Sequence, residues 1–264
     1  MEKWEGKNAF IAGANSGIGA GMTKRFLEAG IRVYALDKDI DNLFEMKNDE
    51  CGENLTILQA NVLKEEEIER TVKWLSENVD EIHIVIYSVG VIGSRSLTEG
   101  DFLEWQNMMN VNLIGLCICM KAITNLMLKQ NVQNGQIVIM SSSAAIETLY
   151  LQEFNFYGAI KNACAAVARG LQREIKERNS SIKVTTLYPG FTRTKIIQNS
   201  LNLVADPPGT RFFVLLSVDD IVAAVDYVLS TKSNVSINRI VITPRGYVRD
   251  DTGTAAFFQQ QQQQ

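Results

Sequence analysis

The chain has 264 residues, 46% hydrophobic and 21% charged, a composition that allows one large α/β domain with a substantial core and leaves no room for two enzyme domains. Against 26 basic residues stand 30 acidic ones, a net charge of -4, so no basic excess points to nucleic acid or an anionic membrane. The four cysteines, Cys51, Cys117, Cys119 and Cys164, lack the paired spacing of a zinc site; they are expected to be reduced, and no metal site is expected. The opening Met1-Glu2-Lys3-Trp4-Glu5 has no apolar signal region. No apolar stretch is read as approaching the ~20 residues of a membrane span, and a cytoplasmic protein is expected.

Asn8–Ala12 is a short apolar run that ends in Gly13-Ala14-Asn15-Ser16-Gly17-Ile18-Gly19. A strand, a glycine-rich turn and a helix over residues 16–28 make the first unit of a dinucleotide-binding βαβ fold. Gly13 permits the tight turn, Gly17 lets backbone approach a pyrophosphate, and Gly19 lets helix and strand pack closely. The helix start then offers free N–H groups and a positive dipole end to phosphate. A second strand covers 32–36 and is followed by Asp37, about 18 residues beyond Gly19, where an acidic side chain hydrogen-bonds ribose hydroxyls. A carboxylate there repels a 2′-phosphate, so Asp37 favours NAD; the adjacent Lys38 keeps NADP as the alternative.

Further on, Leu55–Gln59 reads as a third strand, leading to Asn61 and Val62, and a Glu-rich amphipathic helix covers Glu65–Asn78. A fourth strand over 82–87 runs into Ser88-Val89-Gly90. His83, the only histidine, has no second imidazole or acidic cluster beside it and is read as structural. Residues 101–130 form a long helix, bent near Gly115, with Asn112 in its middle although asparagine is a mediocre helix former. Gln136–Met140 is the fifth strand, running into Ser141-Ser142-Ser143 at the edge where open parallel sheets bind ligands. A helix over Asn155–Glu177 follows, then a strand over 183–187 that ends at Pro189-Gly190. Residues 191–213 read as an irregular lid with apolar side chains, 217–229 as a helix, and 239–243 as the last strand. From residue 251 the chain is a tail ending in glutamines 259–264, expected to be disordered. One domain over 1–250 is expected.

Tyr157 and Lys161 lie four apart, hence one above the other on a helix face. A tyrosine near pH 7 is a general base only if its pKa falls by roughly 3 units from about 10. A cation about 4 Å from the phenol, at an effective dielectric of 20, supplies about the 4 kcal/mol required.

Gly13-x-x-x-Gly17-x-Gly19, Asn112, Ser142, Tyr157-x-x-x-Lys161 and Pro189-Gly190-x-x-x-Thr194 occur together in one order, and in this the chain resembles the short-chain dehydrogenase/reductase superfamily. Trp4-Glu-Gly-Lys7, Gly115-Leu-Cys-Ile-Cys119 and Ala224-Val-Asp-Tyr-Val-Leu-Ser-Thr231 are similar to its insect farnesol dehydrogenase-like group. It departs from the superfamily at Tyr87-Ser88-Val89-Gly90, where Asn-Asn-Ala-Gly is usual, and at Asn61, where an Asp is usual.

The resemblance implies a single-domain Rossmann-type α/β fold, a doubly wound parallel sheet of about seven strands. It implies hydride transfer between NAD or NADP and a hydrophobic alcohol or carbonyl, with a terpenoid alcohol such as farnesol the leading substrate. A steroid or other secondary alcohol is an alternative substrate, and a non-catalytic dinucleotide-binding protein an alternative role. Tyr157 would be the general acid/base, Lys161 would lower its pKa, Ser142 or its neighbour Ser143 would hold the reacting oxygen, and Asn112 would anchor a proton-relay water. The implied cofactor site comprises Gly13, Asn15, Ser16, Gly17, Ile18, Gly19, Asp37, Asn61, Val62, Gly90, Tyr157, Lys161, Pro189, Gly190, Thr192 and Thr194. A homodimer or homotetramer built on the helices of residues 101–130 and 155–177 is implied as well.

Overall fold

A computed structural model of the chain describes residues 1–93, 95–147, 152–200 and 215–245. Residues 201–213 of the expected lid, and the expected tail from residue 251, lie outside the described residues.

Seven parallel strands form one sheet in the order β3-β2-β1-β4-β5-β6-β7. They are β1 (Asn8–Ala12), β2 (Arg32–Asp37), β3 (Leu55–Gln59), β4 (Ile84–Tyr87), β5 (Gln136–Met140), β6 (Lys183–Pro189) and β7 (Arg239–Ile242). The chain builds outward from β1 through β2 to β3, then returns to lay β4 on the other side of β1. That reversal opens a crevice at the carboxyl ends of β1 and β4, the usual ligand position in such sheets. Every residue of β1, β4 and β5 is buried. Both faces of these strands are covered, which is why they read as continuous apolar runs instead of alternating ones.

The period of two in a strand sends alternate residues to opposite layers. Phe10, Ala12 and Val85 join a core with Ile68 and Leu75 of α3 (Glu65–Asn78) and with Ile160 and Ala168 of the helix at Asn155–Glu177. Ala9, Ile11 and Ile84 join a second core with Met22 and Phe26 of α1 (Gly17–Glu28) and Ile221 and Val225 near the carboxyl end of the chain.

Three expectations are corrected. A short helix, α2 (Asp41–Lys47), was not foreseen. Its start is held from outside, by the Leu43 N–H donating to Asn15 Oδ1 at 3.1 Å, and local sequence does not announce such a bond. The expected helix over 101–130 is α4 (Phe102–Met109), a π turn (Asn110–Ile114) and α5 (Gly115–Lys129) in one run. Its irregularity sits at Asn112 and not at Gly115. That run, Phe102–Lys129, is long and apolar enough by length and composition to cross a bilayer, against the expectation of no such stretch; half of its apolar window is buried inside the fold, where it supplies core.

The remaining helices are α6 (Asn155–Glu177), α7 (Lys195–Ser200) and α8 (Val218–Ser230). The α7 helix lies in what the sequence presents as an irregular segment.

Candidate active site

The first turn does what its glycines require. Gly13 has φ +81 and lies so close to the chain after β4 that a Cβ there would meet the Ser88 carbonyl carbon at 2.8 Å. A Cβ on Gly19 would fall 1.9 Å from the Gly13 carbonyl oxygen, so α1 can start directly under the turn only with glycine at that place. Ser16, the residue before α1, makes no side-chain cap, and no acidic residue lies in the first turn. The leading N–H groups of α1 and its positive dipole end are thus left to an outside anion. Asp37, at the end of β2, accepts from the Asn15 N–H at 3.0 Å, which fixes its carboxylate beside the turn. These features fit an adenine dinucleotide: a phosphate cradle at Gly13–Gly19 and an acidic ribose partner at Asp37.

At the same sheet edge, α6 presents Tyr157 and Lys161 on one face, both buried. Ser142 follows β5 and opens a 3-10 turn, its hydroxyl accepting from the Ala144 N–H at 3.2 Å. Ser142 lines the same cleft as Tyr157, where it favours the ionised form of the phenol. Ser143, the competing serine, lines the same cleft. α6 comes this near because residue 158 is glycine: a Cβ there would lie 2.7 Å from the Ala144 carbonyl oxygen.

The Lys161 ammonium donates to the Met140 carbonyl at 3.4 Å and stands 5.6 Å from the centre of the Tyr157 ring. A Cβ on Gly90 would fall 3.3 Å from that ammonium and 2.9 Å from Asn112 Oδ1, so Gly90 admits both groups. Asn112 is clamped by its side chain. Oδ1 accepts from the Val91 N–H at 3.2 Å, and Nδ2 donates to the Val91 and Met108 carbonyls at 2.9 Å each. That clamp gives the asparagine inside the helix a purpose.

Burial pushes the Tyr157 phenol up, with Ser142 opposing and the Cys164 thiol adding to it. Burial also pushes the Lys161 ammonium down. Any lowering of the Tyr157 phenol by Lys161 has to work against this desolvation.

Pro189, Gly190, Thr192 and Thr194 border the same cleft as Ser142 and Tyr157, with Ile18 from the glycine turn on the opposite side. Thr194 Cγ2 lies 3.3 Å from where a Cβ of Gly17 would be, which joins the segment after β6 to the glycine turn. Asn61 and Val62 do not reach this cleft. Asn61 spans the start of α3, its N–H donating to Glu67 and its Oδ1 accepting from the Leu63 N–H, and Val62 packs against Gly115.

Sequence reasoning passed over Cys164, whose thiol donates to the Asn112 carbonyl at 3.3 Å. Its spacing of three from Lys161 places it on the same helix face, and that signal was available. It also passed over Ser141, whose hydroxyl donates to the Lys161 carbonyl at 3.0 Å. The cleft walls are apolar, with Ile92, Phe154, Phe191, Ile196 and Ile197, and Phe154 meets Tyr157 and Phe191 edge-on.

Residues 7–202 match the family model described as short chain dehydrogenase. A farnesol dehydrogenase of Aedes aegypti is 29% identical over 250 residues, covering 93% of this chain and 99% of that protein. Serine dehydrogenase from Escherichia coli is 25% identical with a TM-score of 0.74, covering 89% of this chain and 96% of the other. 4-Hydroxyisoleucine dehydrogenase complexed with NADH is 22% identical with a TM-score of 0.77 over 92% of this chain and 98% of that one, a likeness of fold.

Proposed function

This chain belongs to the short chain dehydrogenase family, and on that premise we propose that it is an NAD-preferring oxidoreductase acting on a hydrophobic alcohol or its carbonyl. The observation that carries this reading is that Ser142 and Tyr157 line one apolar-walled cleft together with Ile18 of the glycine turn. When bound, the dinucleotide supplies or accepts a hydride.

The chain's own groups do the rest. Gly13, Asn15, Ser16, Gly17, Ile18 and Gly19 hold the phosphates, and Asp37 takes the adenine ribose and disfavours a 2′-phosphate. Gly90, Pro189, Gly190, Thr192 and Thr194 seat the nicotinamide half. Tyr157 Oη takes the proton of the substrate hydroxyl, or returns it to a carbonyl oxygen. The Ser142 hydroxyl donates to that same oxygen and so stabilises its developing charge. Lys161 and Asn112 stand behind Tyr157 and hold the cation and the polar link needed to renew its proton.

The cleft is lined by Ile18, Ile92, Phe154, Phe191, Ile196 and Ile197, the largely apolar lining usual for a small-molecule site. A chain made of Ile, Phe and Ile contacts selects an aliphatic substrate, and the resemblance to a farnesol dehydrogenase makes a terpenoid alcohol the first to try.

The test is turnover by the purified protein with NAD and with NADP over primary, secondary and terpenoid alcohols, followed by absorbance of the reduced nicotinamide. Turnover with NAD on apolar alcohols supports the proposal. Dinucleotide binding without turnover across the panel refutes it, and leaves a binding protein of this fold.

A further inference from the structure

The sheet has a second edge. At the amino ends of β1, β4, β5 and β6, opposite the glycine turn, lies an open bowl of about 670 Å³. Lys3, Lys7, Lys183 and Lys232 line it, against the single carboxylate of Glu81. In a chain whose net charge is -4, that is a local excess of the opposite sign. Most of the remaining wall is polar, with the amides of Gln133, Asn134 and Asn234 and the hydroxyl of Ser233.

Two of the four ammonium groups are held in place. Lys3 Nζ donates to the Thr231 carbonyl at 2.5 Å and lies 5.4 Å from the Trp4 ring. Lys183 Nζ donates to the Lys232 and Val235 carbonyls at 3.3 and 3.0 Å. Both are thus tethered to the same connection between α8 and β7. The carboxylate of Glu81 is turned to His83 Nε2 at 3.1 Å. Among the described residues, none of the four lysines forms an ion pair with a carboxylate.

The cations also feel one another. The Lys183 ammonium is pushed down by burial and then by Lys3, and the His83 imidazolium is disfavoured by burial and then by Lys7. Like charges gathered around one concavity raise the local concentration of a counter-ion. Several fixed ammonium and amide donors together suit an acceptor with several charged oxygens. Nothing in dinucleotide chemistry at the far edge needs this arrangement.

We propose that this bowl is a second binding site, specific for a small multivalent oxyanion that bridges Lys3 and Lys183 and is flanked by Lys7 and Lys232. The bound oxyanion would tie the amino-terminal residues, the carboxyl end of α8 and the start of β6 to one another.

Pyrophosphate and citrate are each titrated calorimetrically into the full chain, at an ionic strength held constant with potassium chloride. The proposal requires saturable binding of at least one of them; whichever binds more tightly identifies phosphoryl or carboxylate oxygens as the preferred group. Lys3→Gln with Lys183→Gln should weaken that binding by about tenfold or more, the loss of charge-assisted hydrogen bonds. The exposed pair Lys73→Gln with Lys121→Gln, outside the lining of the bowl, should leave it unchanged. Pyrophosphate held at the glycine turn would be indifferent to the bowl variants, so that contribution separates itself. If the first double variant melts early, Lys7→Gln with Lys232→Gln, whose ammonium groups have no backbone tether among the described residues, makes the same measurement. No saturable binding, or equal affinity in bowl and control variants, overturns the proposal.

Discussion

Asn112 reads the backbone of Val91 with both ends of its amide, accepting from the Val91 N–H at 3.2 Å and donating to the Val91 carbonyl at 2.9 Å. This ties the π turn in the long helix to the chain leaving β4, and it positions the carbonyl to which Cys164 donates. Asn112→Ala removes these two bonds and the one to Met108. At about 1 kcal/mol each the loss is about 3 kcal/mol, to be read from the urea midpoint. A variant within 1 kcal/mol of the parent would show that the clamp is dispensable.

Tyr157→Phe removes one oxygen from a packed ring. Turnover should fall about 10²–10⁴-fold, the usual contribution of a positioned acid or base. Dinucleotide affinity, measured by fluorescence titration, should stay within about threefold, because the variant's charge and shape are kept. Retained turnover would move the proton transfer to another group.

Asp37→Asn keeps the acceptor for the Asn15 N–H and discards the charge. The ratio of kcat/KM for NAD to that for NADP should drop about tenfold, equivalent to about 1.4 kcal/mol of relieved repulsion. An unchanged ratio would mean that Asp37 does not face the ribose.

Gly158→Ala separates activity from stability. A Cβ would lie 2.7 Å from the Ala144 carbonyl oxygen, which pushes α6 away from Ser142, while alanine favours the helix itself by about 1 kcal/mol. A displacement near 1 Å corresponds to about a 10²-fold loss of turnover. The melting temperature should move far less than the rate; a large fall in both would indicate general disruption.

Tyr87 is buried, and its hydroxyl makes no hydrogen bond among the described residues; burial holds its phenol well above the usual tyrosine range. Tyr87→Phe should stabilise the fold by about 1 kcal/mol or more near neutrality, since it removes an unsatisfied polar group. Folded-state ionisation is raised above that of the unfolded chain, so the parent loses stability as pH climbs past about 10, where only the unfolded phenol ionises. The advantage of the variant should therefore widen above about pH 10 in melting curves taken across that range. A narrowing gap would contradict the burial.

Chain order alone determined much here. Unbroken apolar runs such as Phe10–Ile11–Ala12, the glycines at 13, 17 and 19, and the one-turn spacing of Tyr157 and Lys161 are local properties, and each follows from strand burial, backbone sterics or helix pitch. The seven strands and the helix of Tyr157 were legible for that reason. What the fold alone decided depends on partners distant in sequence: Leu43 caught by Asn15, Asn112 clamped to Val91, and four lysines from separate parts of the chain meeting at one bowl. Solvent exclusion belongs to that second class. Helix spacing places a lysine beside a tyrosine, but only the packed interior sets how strongly burial resists the charge on either one.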